Sequence, residues 1–213
     1  MNSLISNNIL HIAERGILFL LLVLGIVGVF IFASRWHAVG LALSGAKRWR
    51  GRLEKDLSEE VDRYKLPGKI ADGEAGTADR MMCVALNNTH LCPEALEKLL
   101  ETQEVRAREE LERGAQYLGT VGANAPFLGL TGTVLGILAA FRQMADAGGG
   151  GVEVMSAISG ALIATAAGLF VAIPAVVLFN LLKARIKKTS NALGEIRSLL
   201  LARSLQAVAK EAF

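Results

Sequence analysis

Thr133 and Thr165 are hydroxyl-bearing residues within two long apolar stretches of this 213-residue chain, and each lies on a face of small residues. A threonine hydroxyl in an apolar helix can simply donate to the carbonyl one turn back. Repeated around a symmetric ring, the same hydroxyls would instead form a belt of hydrogen-bonding groups suited to a polar or protonatable passenger. The sequence leaves both interpretations open.

Each threonine belongs to a row of small residues with helical spacing of three and four. Such rows allow two helices to approach closely in lipid, where packing drives association. We expect these rows to pack against each other or against a further helix. The second-stretch row is Gly122, Pro126, Gly129, Thr133, Gly136 and Ala140, and the third-stretch row is Ala157, Ala161, Thr165, Gly168, Ala172 and Ala175.

Ionisable side chains are missing from the interior of all three apolar stretches. No charged residue lies between Arg113 and Arg142, between Glu153 and Lys183, or between residues 17 and 33. Intramembrane ionisable groups mark ion paths because they are costly there. If protons cross the membrane at this protein, the carboxylate that carries them must therefore come from a partner. The one alternative within the chain is Glu14, at the edge of the first stretch.

Enzyme and metal chemistry find no support in the residue pattern. His11, His37 and His90 are scattered, and no nucleophile–base pair or Gly-rich phosphate loop is visible. Cys83 and Cys92 have no CxxC or Cys/His context, so we expect neither a disulfide nor a metal site, and no cofactor. The net charge of +3 favours no nucleic-acid role.

The apolar stretches predict three transmembrane helices. Mean hydropathy is +0.41, and 52% of the residues are hydrophobic, which is typical of a membrane protein. About 20 residues cross a bilayer, so Ile17–Ala33 is near the short limit, while the second and third stretches are ample. A signal peptide is the alternative for the first stretch, but residues 1–8 carry no basic region.

Basic residues predict the orientation. They cluster after the first stretch, from Arg35 to Arg52, and after the third, from Lys183 to Lys188. The positive-inside rule then places the N-terminus outside and the C-terminus in the cytoplasm. The predicted division is 1–34 as N-terminal periplasmic segment and first span, 35–113 as cytoplasmic helical region, 114–144 as second span, 145–154 as periplasmic loop, 155–182 as third span and 183–213 as cytoplasmic C-terminal helix.

The polar regions predict a cytoplasmic bundle of helices. Residues 67–77 form a Gly- and Asp-rich linker, and a short helix begins at Thr77 or Asp79. Pro93 is typical of a first helical turn, and i,i+4 pairs such as Glu104–Arg108 favour one uninterrupted helix from there into the second span. The tail offers an apolar stripe for packing, formed by Leu193, Ile196, Leu200 and Leu205.

Two segments resemble the span signatures of the ExbB/TolQ/MotA proton-channel family. Ala125–Ile137 is similar to the second-span signature, and Ala161–Leu169 followed by Ala172–Ala175 is similar to that of the third span. The order, the spacing and three spans fit the ExbB/TolQ branch, because MotA-type proteins have four. The fold expected is thus an all-α membrane protein with long cytoplasmic helical extensions.

The resemblance implies a subunit of a proton-motive-force-driven motor in the bacterial inner membrane. It implies a homopentameric ring around two helices of an ExbD/TolR-like single-span partner that carries a membrane aspartate. Thr133 and Thr165 match the family's pore-facing threonines. The remaining small residues would then pack against lipid-embedded partner helices, namely Gly122, Pro126, Gly129, Gly136, Ala161, Gly168 and Ala172.

One position departs from the family pattern. ExbB/TolQ members usually have a glutamate directly before the Ala-Leu-Ile-Ala-Thr-Ala run, and here that residue is Gly160. The departure points to a divergent branch, such as a gliding motor or a specialised transport system. It also supports a second hypothesis, a structural membrane scaffold of the same fold that does not conduct. A transporter with its own solute site is disfavoured, since the spans lack charged and aromatic site residues.

Overall fold

Five α-helices make up the part of the chain that the structure, a computed structural model, describes: residues 2–59, 76–147 and 151–211. They are α1 (Asn2–Glu59), α2 (Thr77–Asn87), α3 (Pro93–Glu112), α4 (Ala115–Ala147) and α5 (Gly151–Glu211). The all-α prediction is confirmed for these residues. Most of the predicted linker, residues 67–75, lies outside them.

Three of the helices are long and apolar enough to cross a membrane. The candidate segments are Arg15–Lys55 in α1, Ala115–Arg142 in α4 and Ile158–Ala209 in α5. α4 and α5 continue through Pro126 and Pro174 without ending. The number of spans agrees with the prediction from hydropathy.

The helices form two compact units, which are described separately. One unit contains Met1–Ala33 and Gly114–Leu181, and the other contains Ser34–Arg113 and Leu182–Phe213. The core of the first unit joins α1 to α4 and α5 through Leu21, Val121, Ala125, Ala172 and Ala175. Most of these side chains are small, so the helices are held by close packing.

The second unit has a core to which four helices contribute. Its members come from α1, α2, α3 and α5: Ala46, Trp49, Leu53, Ala78, Met81, Met82, Ala85, Leu96, Leu100, Ala107, Ala192, Leu193, Ile196 and Leu200. The predicted tail stripe is thus confirmed at its first three positions. The prediction is wrong at Leu205, whose side chain is 57% exposed. This residue lies beyond the part of α5 that packs against the core residues of the other helices.

Polar contacts between helices supplement this core. Arg80 of α2 donates to Glu110 of α3, and this hydrogen bond lowers the pKa of the Glu110 carboxyl. Arg197 of α5 approaches Glu104 of α3 at 3.2 Å. Glu104 therefore forms its ion pair with a residue of a neighbouring helix. The i,i+4 spacing had predicted a pair with Arg108 in the same helix. A tertiary partner gives the carboxylate a more protected contact than the exposed helix surface would.

The prediction of one uninterrupted helix from Pro93 into the second span is wrong. α3 ends at Glu112, and Gly114 has a φ of 84° before α4 begins at Ala115. Only glycine adopts this left-handed conformation without steric cost. The charge pattern could not reveal the break, because a single glycine is also tolerated inside a helix.

The glycine at this break provides a stability test. Gly114→Ala should lower the free energy of unfolding by about 1–2 kcal/mol, because a Cβ is strained at positive φ. The matched control is Gly51→Ala, which lies inside α1 with no atom within 4 Å of an added Cβ. That change should raise stability by up to about 1 kcal/mol. Thermal unfolding of the purified protein in detergent measures both, and a stable Gly114→Ala variant would contradict the strained turn.

Candidate ion pathway and helix-packing site

α4 and α5 approach each other closely at two glycines. A Cβ added to Gly129 would lie 2.7 Å from the Ala164 carbonyl oxygen and 3.2 Å from the Gly168 Cα. A Cβ added to Gly168 would lie 2.6 Å from the Ala125 carbonyl oxygen and 3.0 Å from the Gly129 Cα. The two distances to carbonyl oxygens are shorter than any normal Cβ contact, so the helices approach this closely only because neither residue has a side chain.

The close contact extends along both helices. An added Cβ at Gly122 would lie 2.6 Å from Val176 Cγ2, and one at Gly132 would lie 2.7 Å from Ala164 Cβ. Towards the start of α4, a Cβ added to Gly119 would lie 3.1 Å from Phe179 Cε2. The small-residue row of α4 therefore packs against the small-residue row of α5 within one chain. This is the first of the two arrangements that the sequence left open.

Thr133 and Thr165 belong to the two helices that form this contact, and Thr165 lies directly beside Gly129. The Thr133 side chain is buried, with 6% exposure, and its Oγ1 donates to the Leu130 carbonyl oxygen at 2.7 Å. Thr165 is half-buried, and its Cα would lie 3.0 Å from an added Cβ on Gly129. Because Thr133 uses its proton on its own helix, its oxygen lone pairs are what it can offer to a passenger or a neighbour.

The remaining predicted site residues belong to the small-residue rows of α4 and α5. Gly122, Gly129, Gly136, Ala161, Gly168 and Ala172 are buried, and Pro126 is half-buried. Gly129 and Gly168 contact each other's helices, so the space beside them is filled within the chain. Packing of this group against a partner helix stays a prediction, with Pro126 and Thr165 the members that keep partly exposed surface.

Gly160 lies beside open space. Among the described residues, no atom outside the helix's own backbone lies within 4 Å of a Cβ built at this position, in contrast to Gly168 two turns later in the same helix. A side chain is therefore sterically possible at the position where the resembling family has glutamate. The glycine is not required by packing within this chain.

A set of polar side chains on the opposite side of α4 was not predicted from the sequence. They are exposed, whereas Thr133 is buried, and comprise Gln116, Thr120, Asn124 and Thr131. Their spacing of four, four and seven residues is helical and could have identified them. Because these polar residues are uncharged, they do not interrupt the charge-free stretch that predicts the span.

Comparison with known proteins places the chain in a family. The profile of the MotA/TolQ/ExbB proton channel family matches residues 74–195, which is more than half of the chain and includes all of α4 and most of α5. The chain belongs to this family. The resemblance found in the two span signatures is thereby confirmed, and the match also takes in α2 and α3, where no motif was recognised.

Relatives of this family member come from the ExbB/TolQ branch, as predicted. A biopolymer transport protein ExbB from Pseudomonas putida is 33% identical over 68% of this chain and 47% of its own length. The Tol-Pal system protein TolQ of Pseudomonas aeruginosa is 46% identical over 38% of this chain and 35% of its own. ExbB of Salmonella typhimurium is 39% identical over 48% of this chain and 42% of its own length. The chain spans less than half the length of these curated relatives.

The glycine contact yields a test of the packing. Gly168→Ala and Gly129→Ala should each lower stability by roughly 1–3 kcal/mol, because the new methyl group would overlap a backbone atom. Gly160→Ala is the matched control in the same helix, with open space around the added carbon. Thermal unfolding in detergent measures all three. Equal stability of the Gly168 and Gly160 variants would show that the two helices are not in backbone contact.

Proposed function

We propose that this chain is the ring-forming channel subunit of a proton-motive-force-driven inner-membrane motor. One observation carries the proposal: α4 and α5 pack closely through glycines, each small-residue row carries a hydroxyl, and no Asp, Glu, His, Lys or Arg lies between Arg113 and Arg142 or between Glu153 and Lys183. Membership of the proton channel family supports the same function. The ring would transmit energy to periplasmic or outer-membrane machinery.

The proton carrier is proposed to be a partner's carboxylate. A proton moving through hydrocarbon needs a group that binds and releases it, and hydroxyl groups do not titrate near neutral pH. Thr133 and Thr165 can accept hydrogen bonds from a protonated carboxyl group or from water. An ExbD/TolR-like single-span protein with a membrane aspartate would supply the missing group. Thr133 and Thr165 would then line the ion path, and the partly exposed Pro126 would contact the partner helix.

The assembly is proposed to be a homopentamer in the inner membrane. The unit that contains α4 would lie in the bilayer, with the basic segments Arg35–Arg52 and Lys183–Lys188 in the cytoplasm. The N-terminus would be periplasmic and the C-terminus cytoplasmic, with the predicted division of the chain retained. Nutrient uptake, envelope maintenance and gliding are the kinds of work that such a motor could drive.

A non-conducting scaffold of the same fold is the second candidate. The observation that favours it is Gly160, which leaves an open position where the family usually has a carboxylate. A scaffold would retain the glycine packing and the ring, and would lose only proton passage. The two candidates therefore differ in flux and agree in assembly.

Removal of the hydroxyls tests the motor. Thr133→Val with Thr165→Val should leave assembly intact and reduce proton flux by more than about tenfold, because valine keeps the volume and removes the hydrogen-bonding oxygen. The control is Thr102→Val, which removes a hydroxyl with the same one-turn hydrogen bond from the exposed surface of α3. Flux is measured in proteoliposomes that contain the chain and its genetically linked single-span protein. Wild-type flux in the double variant would favour the scaffold.

Restoration of the carboxylate separates the two candidates further. Gly160→Glu should assemble normally, since the position is open, and should leave the flux of the motor unchanged, because conduction uses the partner's carboxylate. The same proteoliposomes provide the measurement, with Gly160→Gln as the uncharged control of similar size. Flux that arises only in the glutamate variant would establish the scaffold as the natural state.

A further inference from the structure

A cleft with a positively charged lining lies between α3 and α5, within the second unit. Its volume is about 430 Å³, which is in the range of small-ligand sites. We call it the basic cleft, and its polar lining residues are Arg108, Glu112, Lys183, Lys187, Ser190 and Asn191. Three of these side chains are cations and one is a carboxylate, so the charges of the lining sum to +2. An anion is therefore the ligand that its electrostatics favour.

Ion pairs determine which residues of the two helices lie side by side. The Glu112 Oε1 lies 3.1 Å from the Arg108 Nε and 3.2 Å from the Lys183 Nζ. Further along the same two helices, the Glu104 Oε2 of α3 lies 3.2 Å from the Arg197 Nη1 of α5. The helices therefore run antiparallel here, and Arg108 lies beside the middle of the α5 segment that lines the cleft. Cations from two different helices thus line one space.

The basic cleft begins where α5 leaves its apolar segment. Lys183 is the first charged residue after the charge-free stretch that follows Glu153. At about 1.5 Å per residue, Lys187 lies roughly 6 Å further along the helix. The headgroup layer on each side of the hydrocarbon is itself roughly 5–7 Å thick. With the predicted third span ending at residue 182, both lysines lie at the level of the lipid headgroups.

A lipid phosphate matches the donors of the basic cleft. The Arg108 guanidinium offers a planar pair of N–H donors to phosphate oxygens, and the two lysines add compact positive charges. Ser190 and Asn191 extend the lining with a hydroxyl and an amide, which can hydrogen-bond a headgroup that carries hydroxyl groups. A zwitterionic headgroup suits the cleft less well, because its ammonium group would be repelled by the cations of the lining.

We propose that the basic cleft binds the headgroup of an anionic phospholipid whose headgroup carries hydroxyl groups, as in phosphatidylglycerol. The lipid belongs to the leaflet at this end of α5, which is the cytoplasmic leaflet in the proposed orientation. Its phosphate contacts Arg108 of α3 together with Lys183 and Lys187 of α5, and so joins the two helices at the membrane surface. Basic pockets at the cytoplasmic ends of membrane helices bind anionic headgroups in this way.

Two matched pairs of variants test the basic cleft. Lys187→Gln removes a lysine of the lining, and Lys188→Gln removes the next residue of α5, which does not line the cleft. Arg108→Gln and Arg106→Gln form the corresponding pair on α3. All four side chains are exposed, so each variant removes one positive charge from the surface of the second unit. The purified chain is titrated with phosphatidylglycerol in detergent, and native mass spectrometry counts the bound lipids.

The cleft variants and their controls should separate clearly. Lys187→Gln and Arg108→Gln should each raise the Kd for phosphatidylglycerol by about tenfold, because each removes a charge-assisted hydrogen bond. Each control variant should stay within about twofold of the unmodified chain, since an exposed charge away from the ligand contributes little. Equal weakening in all four variants would show a general attraction to positive charge. That result, an unchanged Kd in the cleft variants, or a loss on one helix alone would overturn the proposal.

Two further ligands identify the source of the phosphate. Phosphatidylcholine has the same phosphodiester with no net charge, and it should bind the unmodified chain about tenfold more weakly than phosphatidylglycerol does. Glycerol 3-phosphate has no acyl chains, and at millimolar concentration it should leave the bound phosphatidylglycerol in place. Equal binding of the two lipids would remove the preference for an anionic headgroup. Displacement by glycerol 3-phosphate would assign the cleft to a soluble phosphate, and either result would overturn the proposal.

Lipid binding goes beyond the proposed motor function, and the two are tested separately. The titration uses the chain without its single-span partner, so its result does not depend on whether the assembly conducts protons. Failure of the cleft variants to weaken binding, together with normal proton flux, would remove the lipid site and leave the motor in place. Absence of flux, together with the expected Kd changes, would remove the motor and leave the lipid site in place.

Discussion

The backbone contact between Gly129 of α4 and Gly168 of α5 is the constraint on which the first unit depends. In lipid there is no hydrophobic force to press two apolar helices together, so they associate through close packing. An added methyl group on either glycine would lie within 2.7 Å of a carbonyl oxygen of the other helix. The short distance places Thr165 beside Gly129, and the exposed polar side chains of α4 lie on the opposite side of that helix.

This arrangement divides the surface of α4 by chemistry. One side holds glycines and a buried hydroxyl against α5, and the opposite side holds exposed amides and hydroxyls. An all-apolar exterior would suit a helix surrounded by lipid. A helix with polar groups on its exposed side at mid-span requires neighbours that can pair with them. The family to which the chain belongs consists of proton channels, and the proposed ring supplies such neighbours.

The second unit is stabilised by a different principle. Its core is a conventional apolar cluster from four helices, supported by ion pairs such as Arg197–Glu104 and Arg80–Glu110. α1 and α5 are each continuous helices that contribute to both units, whereas the passage from α3 to α4 turns at Gly114. Two of the three connections between the units are therefore uninterrupted helix, and one is a left-handed glycine turn.

The sequence by itself determined the three spans, the all-α class and the family, because length, hydropathy and small-residue spacing are local properties of the chain. It identified Thr133 and Thr165 as the hydroxyls of the two small-residue rows for the same reason. It could not decide that the two small-residue rows pack against each other, that the helix breaks at Gly114, or that Glu104 pairs with Arg197. Each depends on which groups from distant parts of the chain come within a few ångströms. Only the tertiary structure decides such contacts.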